Sequence, residues 1–251
     1  HFQLLLNLKT KTEKTNQRLI AEELGLSLGT VNKLIQEAEE NGWISSEYEV
    51  TEKGLKALEP HRVENAIIMA AGMSTRFAPL SYETPKGLLV VKGERLIERE
   101  IKQLEKMFYL ADKFGVEIVV NEDYYRYNNC SSLMLVRKQL GNTYICSSDN
   151  YFVENPFEEY VYRGYYSTVF AEGETDEYCV TETTDGIIKQ VTVGGENKWY
   201  MLGHVYFDRA FSEQFVPILE SEFKHEAYKL QLWEDYYARH VYQFKNIIEY
   251  L

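Results

Sequence analysis

A chain of 251 residues has room for one large domain, or for a small and a medium one. Its hydrophobic fraction of 45% supports a proper core, while its apolar runs are too short to cross a bilayer and no stretch reads as a secretion signal. The net charge of −12 weighs against sequence-independent nucleic-acid binding and suits an enzyme that holds metal through carboxylates.

Three cysteines, Cys130, Cys146 and Cys179, are far apart and form no CxxC pair. They predict neither a disulfide framework nor a zinc site, and they place the chain in the reducing cytoplasm. The 20 Tyr, 12 Phe and 3 Trp serve packing in the main, with a few available to line a pocket for a cationic ligand.

The first 62 residues read as short helices. Phe2–Leu8 is apolar and helical. Asn16 caps a helix over Gln17–Leu24 that turns Leu19, Ile20 and Leu24 inward, and Gly25 ends it. Ser27 caps the next helix, with Val31, Leu34, Ile35 and Ala38 at helical spacing, and Asn41-Gly42 stops it. Trp43-Ile44 and Tyr48–Val50 are expected as two short strands, followed by a helix from Thr51 to Leu58. This order resembles a winged helix-turn-helix domain. Residues 1–62 hold 8 Lys/Arg and 10 Glu, so the module is slightly acidic. DNA binding is therefore weakly supported, and a docking or dimerisation role is an equal reading.

Glu59-Pro60 marks a linker, so the domains are expected at 1–62 and 63–251. Beyond it the pattern changes. Buried strands are expected at Ala66–Ala70, Val116–Val120 and the stretch TYICSS, with helices over RLIEREIKQL and SSLMLVRKQL between them. Strands alternating with helices predict a parallel, doubly wound α/β sheet, with ligands beyond its C-terminal strand ends.

After the first of these strands comes AAGMSTRFAPLSYETPK, Ala70 to Lys86. Backbone N–H groups of Ala71, Gly72, Met73 and Ser74 can cradle a triphosphate, Arg76 offers a fork for phosphate oxygens, and Lys86 follows the stiffening Pro85. The segment resembles the signature of the nucleoside triphosphate transferase superfamily, roughly G-x-G-x-R-x-x-P-x-[ST]-x-x-x-P-K. Gly72, Arg76, Pro79, Pro85 and Lys86 match it, and Ser74 replaces the second glycine. NEDYYRYNNCSSLMLV and GGENKWYMLGHVYF are similar to bacterial CTP:phosphocholine cytidylyltransferases.

The resemblance implies a Rossmann-like, GT-A-like mixed sheet and transfer of a cytidylyl group from CTP to phosphocholine. It implies Arg76 and Lys86 as catalytic groups, and Asn129 and Ser131 at the base or ribose. It also implies Mg²⁺ held by Asp149 and Asp235. A quaternary ammonium is held by aromatic faces with a carboxylate nearby, which makes Tyr178, Trp199, Tyr200 and Glu177 the choline candidates. A sugar 1-phosphate or an aminoalkyl phosphonate is the alternative acceptor, and a DNA-binding regulator that senses nucleotide is the alternative of another class. Family members carry a further strand and glycine turn after the first helix. Here Leu104 runs straight into Glu105-Lys106, so a segment is missing from the pattern at that point.

Overall fold

Capping residues set the boundaries of the N-terminal unit, His1–Arg62, in the computed structural model. The structure describes residues 1–11, 14–70, 86–107, 116–117, 119–123 and 126–250. Within this unit lie α1 (Phe2–Thr10), α2 (Gln17–Leu24), α3 (Leu28–Glu40) and α4 (Glu52–Leu58). The Asn16 side chain accepts from Arg18 and Leu19 N–H, Ser27 from Thr30 N–H, and Thr51 from Gly54 N–H. Each satisfies a donor that the first helical turn would otherwise leave orphaned. Gly25 stops α2 at φ 62°.

Two expectations change here. Leu19 is 43% exposed, and Ile20 and Ala21 are the buried pair. Leu19 lies about 100° round the helix from Ile20, outside the inward stripe. The wing strands reduce to one antiparallel bridge between Ile44 and Val50. Ser45 Oγ accepts from Glu47 and Glu49 N–H, which ties the turn to itself rather than to a longer ladder. Gly54 is required where α4 meets the wing, because a Cβ there would lie 2.1 Å from the Trp43 carbonyl oxygen.

The second unit, Val63–Leu251, contains β1 (Asn65–Met69), β2 (Val90–Val91), β3 (Glu94–Arg95), α5 (Leu96–Met107), α6 (Asn129–Val136) and β4 (Thr143–Ser147). The long strands β5 (Tyr165–Glu182) and β6 (Ile188–Phe207) follow. The unit closes with α7 (Arg209–Glu222), α8 (Glu226–Lys229), α9 (Trp233–His240) and β7 (Ile247–Tyr250). The main sheet runs β1-β4-β6-β5-β7. Its outer pairs, β1 with β4 and β5 with β7, are parallel, and both pairings of β6 are antiparallel. This is the mixed α/β sheet that the resemblance implies; the all-parallel sheet read from the alternation is corrected, because β6 follows β5 as a hairpin and so runs antiparallel to both its neighbours.

Strand alternation divides the core between two faces. Ile145 points to one face, among Leu133, Phe211, Phe215, Trp233 and Tyr237. Its neighbours Tyr144 and Cys146 point to the other, among Phe157, Tyr165 and Tyr206. The β5–β6 hairpin doubles back on itself, so Cys179 pairs with both Thr192 and Tyr200.

Of the buried strand expected at Val116–Val120, the described residues 116–117 and 119–120 take no strand conformation. Val116, Val119 and Val120 are 65%, 44% and 71% exposed, and β1 is an edge strand among the described residues.

Candidate active site

The parallel pair β1–β4 brings two strand ends to one edge of the sheet, where ligands of such folds bind. Ser148 N–H donates to the Met69 carbonyl at 3.3 Å across this edge. Asp149 sits in the turn that leaves β4. The turn is held from behind, as Asn150 N–H donates to the Ser147 carbonyl and Asn150 Nδ2 to the Gly203 carbonyl at 2.7 Å. Gly203 permits that approach, since a Cβ there would stand 2.1 Å from Ser147 Oγ.

The short 3₁₀ turn Lys86–Leu88 packs on the same place. A Cβ on Gly87 would come 3.1 Å from both Cβ and Oγ of Ser148. The backbone of the expected catalytic lysine thus lies beside the residue preceding Asp149. Arg76 and the phosphate-loop residues Ala71, Gly72, Met73 and Ser74 lie outside the described residues.

Below this edge is a buried polar group that periodicity alone did not single out. Glu100, on α5, is 1% exposed, and among the described residues its carboxylate oxygens meet no hydrogen-bond donor stronger than the Cys146 thiol. Burial pushes its carboxyl up to about 8, opposed by the Cys146 thiol and reinforced by the charge of Asp149. The signal was present in the sequence: Glu100 lies four residues after Leu96, inside the apolar stripe of an otherwise amphipathic helix. Next to Cys146, His204 accepts or donates at 3.2 Å to Tyr165 OH and stacks on Tyr144 at 5.4 Å. Burial holds His204 down at about 3, so it is neutral.

A second polar cluster surrounds the start of α9. Asp235 Oδ2 accepts from Leu232 N–H at 3.0 Å, and Oδ1 accepts from Tyr178 OH at 2.7 Å. Arg239 lies at i+4 from Asp235 on the same helix, within reach of an ion pair. Arg239 instead engages Glu222 and Gln231. Asn129 ties α6 to α9: its Oδ1 accepts from Trp233 N–H at 2.8 Å, and its Nδ2 donates to Glu234 at 3.1 Å. Glu234 also accepts from Tyr166 OH, and burial pushes its carboxyl up to about 7. Ser131 Oγ donates to the Asn128 carbonyl and accepts from Asn121 Nδ2, both at 2.8 Å.

The structure therefore brings Tyr178, Asp235 and Asn129 to one helix start, and Ser148, the residue before Asp149, to the Lys86–Leu88 turn. Of the aromatic candidates, the Trp199 ring meets Phe170 at 5.3 Å and Tyr250 at 4.5 Å, edge to face. Tyr200 follows it in β6 and so points to the opposite side of the strand. Glu177 N–H donates to Thr175 Oγ1 at the bend of the hairpin. Among the described residues no three acidic, histidine or cysteine side chains form a metal cluster.

Two family models match the chain: "wHTH-PRTase associated" over residues 4–71 and "Nucleotidyl transferase" over residues 65–161. The choline-phosphate cytidylyltransferase of Streptococcus pneumoniae is 29% identical over 74% of this chain and 88% of its own. The 2-aminoethylphosphonate cytidylyltransferase of Lancefieldella rimae is 29% identical over 70% of this chain and 80% of its own. The solved CTP:phosphocholine cytidylyltransferase from Streptococcus pneumoniae superposes with a TM-score of 0.70 at 28% identity, covering 76% of this chain and 90% of that one. The inositol-1-phosphate CTP transferase from T. maritima shares the fold, with a TM-score of 0.53 at 13% identity over 75% of this chain and 86% of that one.

These matches and the mixed sheet make the second unit a nucleotidyltransferase domain and the first a winged-helix domain. The chain is a nucleotidyltransferase of the cytidylyltransferase type.

Proposed function

We propose that the protein transfers the cytidylyl group of CTP to phosphocholine, giving CDP-choline and pyrophosphate. The supporting observation is that Asp149 stands in the turn at the tip of β4, next to Ser148, which packs on Gly87 of the Lys86–Leu88 turn, in a chain similar over most of its length to a choline-phosphate cytidylyltransferase. A phosphate oxygen of the acceptor attacks the α-phosphorus of CTP. The new P–O bond forms as the bond to the β-phosphate breaks, and pyrophosphate leaves in line. No covalent nucleophile is needed, so positioning and charge stabilisation carry the rate.

Arg76 and Lys86 neutralise the phosphates. Asp149 would hold Mg²⁺, with Asp235 as the second carboxylate. A donor set of one or two carboxylates suits this hard ion, which fills its octahedron with phosphates and water. When bound, Mg²⁺ supplies charge neutralisation at the phosphates. Asn129 and Ser131 are the groups assigned to the base or ribose. Tyr178, Trp199, Tyr200 and Glu177 are the groups assigned to the choline head, where an aromatic face contributes roughly 0.5–2 kcal/mol. No described helix is long and apolar enough to cross a membrane, and the three cysteines are free and buried, so we place the enzyme in the cytoplasm.

The second relative favours one other acceptor, 2-aminoethylphosphonate, which also joins a cationic head to a phosphorus acid. Pyrophosphate release with CTP and Mg²⁺ separates the two when phosphocholine, 2-aminoethylphosphonate and glucose 1-phosphate are compared. Highest kcat/KM with phosphocholine is the expected result. Equal turnover of the sugar phosphate overturns the cationic-acceptor reading.

A further inference from the structure

We propose that Arg99 is the positioning residue that fixes Asp149 relative to the phosphate-binding segment, and that it controls turnover through this geometry without touching substrate. The inference rests on the proposed transferase site and adds a residue to it.

Arg99 lies on α5, directly after the β2–β3 ribbon that follows the Lys86–Leu88 turn. Its guanidinium reaches across to the loop beyond Asp149. Nε donates to the Phe152 carbonyl at 3.0 Å, and Nη2 donates to the same oxygen at 2.6 Å and to the Val153 carbonyl at 3.0 Å. The same group lies 4.5 Å from the centre of the Tyr151 ring. Three consecutive residues of the loop are thus held by one side chain. Behind it, Glu94 accepts from Nη1 at 3.5 Å and from Lys102 at 2.7 Å, which keeps the guanidinium aimed.

The opposite side of the Asp149 turn is already secured by Asn150 on the Gly203 carbonyl. Asp149 is therefore bracketed, with β6 holding one side and Arg99 the other. Arg99 is the one that comes from the segment carrying Lys86. Removing it leaves the turn attached to the sheet, and tied to the segment carrying Lys86 through the packing of Gly87 on Ser148 and Lys92 over the Tyr151 ring, without the hydrogen bonds that fix the loop beyond Asp149. A planar fork is needed for this, because it must serve two carbonyls and a ring face at once. An ammonium group can satisfy only part of that set.

The experiment compares Arg99→Lys, Arg99→Ala and wild type, with Asp149→Asn and Lys86→Ala as controls. It measures kcat, KM for CTP and for phosphocholine, thermal midpoint, and calorimetric binding of CTP with Mg²⁺ in the absence of acceptor. Arg99→Ala is expected to lower kcat 30-fold or more, with KM for phosphocholine within threefold of wild type, and with CTP·Mg²⁺ bound several-fold more weakly and KM for CTP raised in step. Added guanidinium should restore part of the Arg99→Ala rate and leave wild type unchanged. Arg99→Lys should keep its fold and remain at least fivefold slow. Wild-type kcat and nucleotide binding in Arg99→Ala overturn the proposal. So does a rate loss that follows only the unfolded fraction and is not rescued by guanidinium. Full activity of both control variants instead removes the transferase site itself, whatever Arg99 does.

Discussion

The tip of β4 and the start of α9 each present a carboxylate expected from the sequence to hold metal, and they are built in opposite ways. At α9 the polar groups close on one another. Both oxygens of Asp235 are engaged, by Leu232 N–H and Tyr178 OH, and Asn129 satisfies Trp233 and Glu234 together. At β4 the backbone of the turn is clamped from two sides, and a buried carboxyl, Glu100, lies below it with only the weak Cys146 thiol as a donor among the described residues. A closed network stabilises a fold with little further to gain from a ligand. A pinned turn over an under-satisfied group carries the kind of uncompensated cost that functional sites hold.

The largest effect expected from this contrast is on catalysis. Asp149→Asn should lower kcat at least a thousandfold, about 4 kcal/mol of transition-state stabilisation, with the thermal midpoint nearly unchanged. Initial rates of pyrophosphate release at saturating CTP and Mg²⁺ measure it. Turnover within tenfold of wild type would mean that β4 holds no catalytic carboxylate, and the contrast between the two regions would vanish.

Next in size is a pH effect on stability at Glu100. Its folded pKa of about 8 lies above the ordinary carboxyl value of 4.5, so the folded state keeps a proton that the unfolded chain has released. Stability therefore falls as pH rises from about 4.5 to about 8, by about 1.4 kcal/mol per unit at most. Glu100→Gln stays neutral throughout. It should flatten this slope, match wild type near pH 5, and gain on the order of 3 kcal/mol at pH 8 after allowance for residual order in the unfolded state. Urea unfolding at both pH values is the test, and parallel pH profiles for the two proteins would refute it.

Asp235→Ala falls below these. It removes the acceptor for Leu232 N–H and for Tyr178 OH, each worth about 1 kcal/mol. A loss of roughly 2 kcal/mol corresponds to a midpoint about 4–8 °C lower for a domain of this size. If Asp235 also serves Mg²⁺, each carboxylate oxygen still has a second lone pair to offer. The variant then loses nucleotide binding beyond what its stability explains. Calorimetry below the unfolding range distinguishes a pure cap from a cap that also binds metal.

Much of the fold was legible because it is local. Asn16, Ser27 and Thr51 cap where short polar residues precede apolar periodicity, and Gly25 ends α2 as expected. The β4 tip was legible because an apolar strand ending in Ser-Ser-Asp places a carboxylate at a sheet edge. Long-range groups were not. Nothing in LIEREI announces that Arg99 will cap two carbonyls more than 50 residues away, or that Glu100 will face Cys146 across a helix–sheet interface. Val116–Val120 misled because β-branched residues favour strands only where a neighbour exists to pair with. The choline candidates were chosen by residue type, yet type does not reveal which face of a doubled-back hairpin a ring will occupy. Trp199 spends its edge contacts on Phe170 and Tyr250.

The smallest effect is the most discriminating for the acceptor. Tyr178→Phe keeps the ring and deletes one hydroxyl, whose bond to Asp235 is 2.7 Å long. Stability should drop by about 1 kcal/mol, the net worth of one ordinary hydrogen bond. If the ring serves a quaternary ammonium, KM for phosphocholine stays within twofold, because the π face is intact. If instead the hydroxyl orients the acceptor through Asp235, KM rises several-fold while KM for CTP does not. Tyr178→Leu then completes the comparison. Loss of phosphocholine affinity in Leu but not in Phe assigns the ring to the cationic head. Equal affinity in all three proteins removes Tyr178 from the pocket and leaves it as a strut for the start of α9.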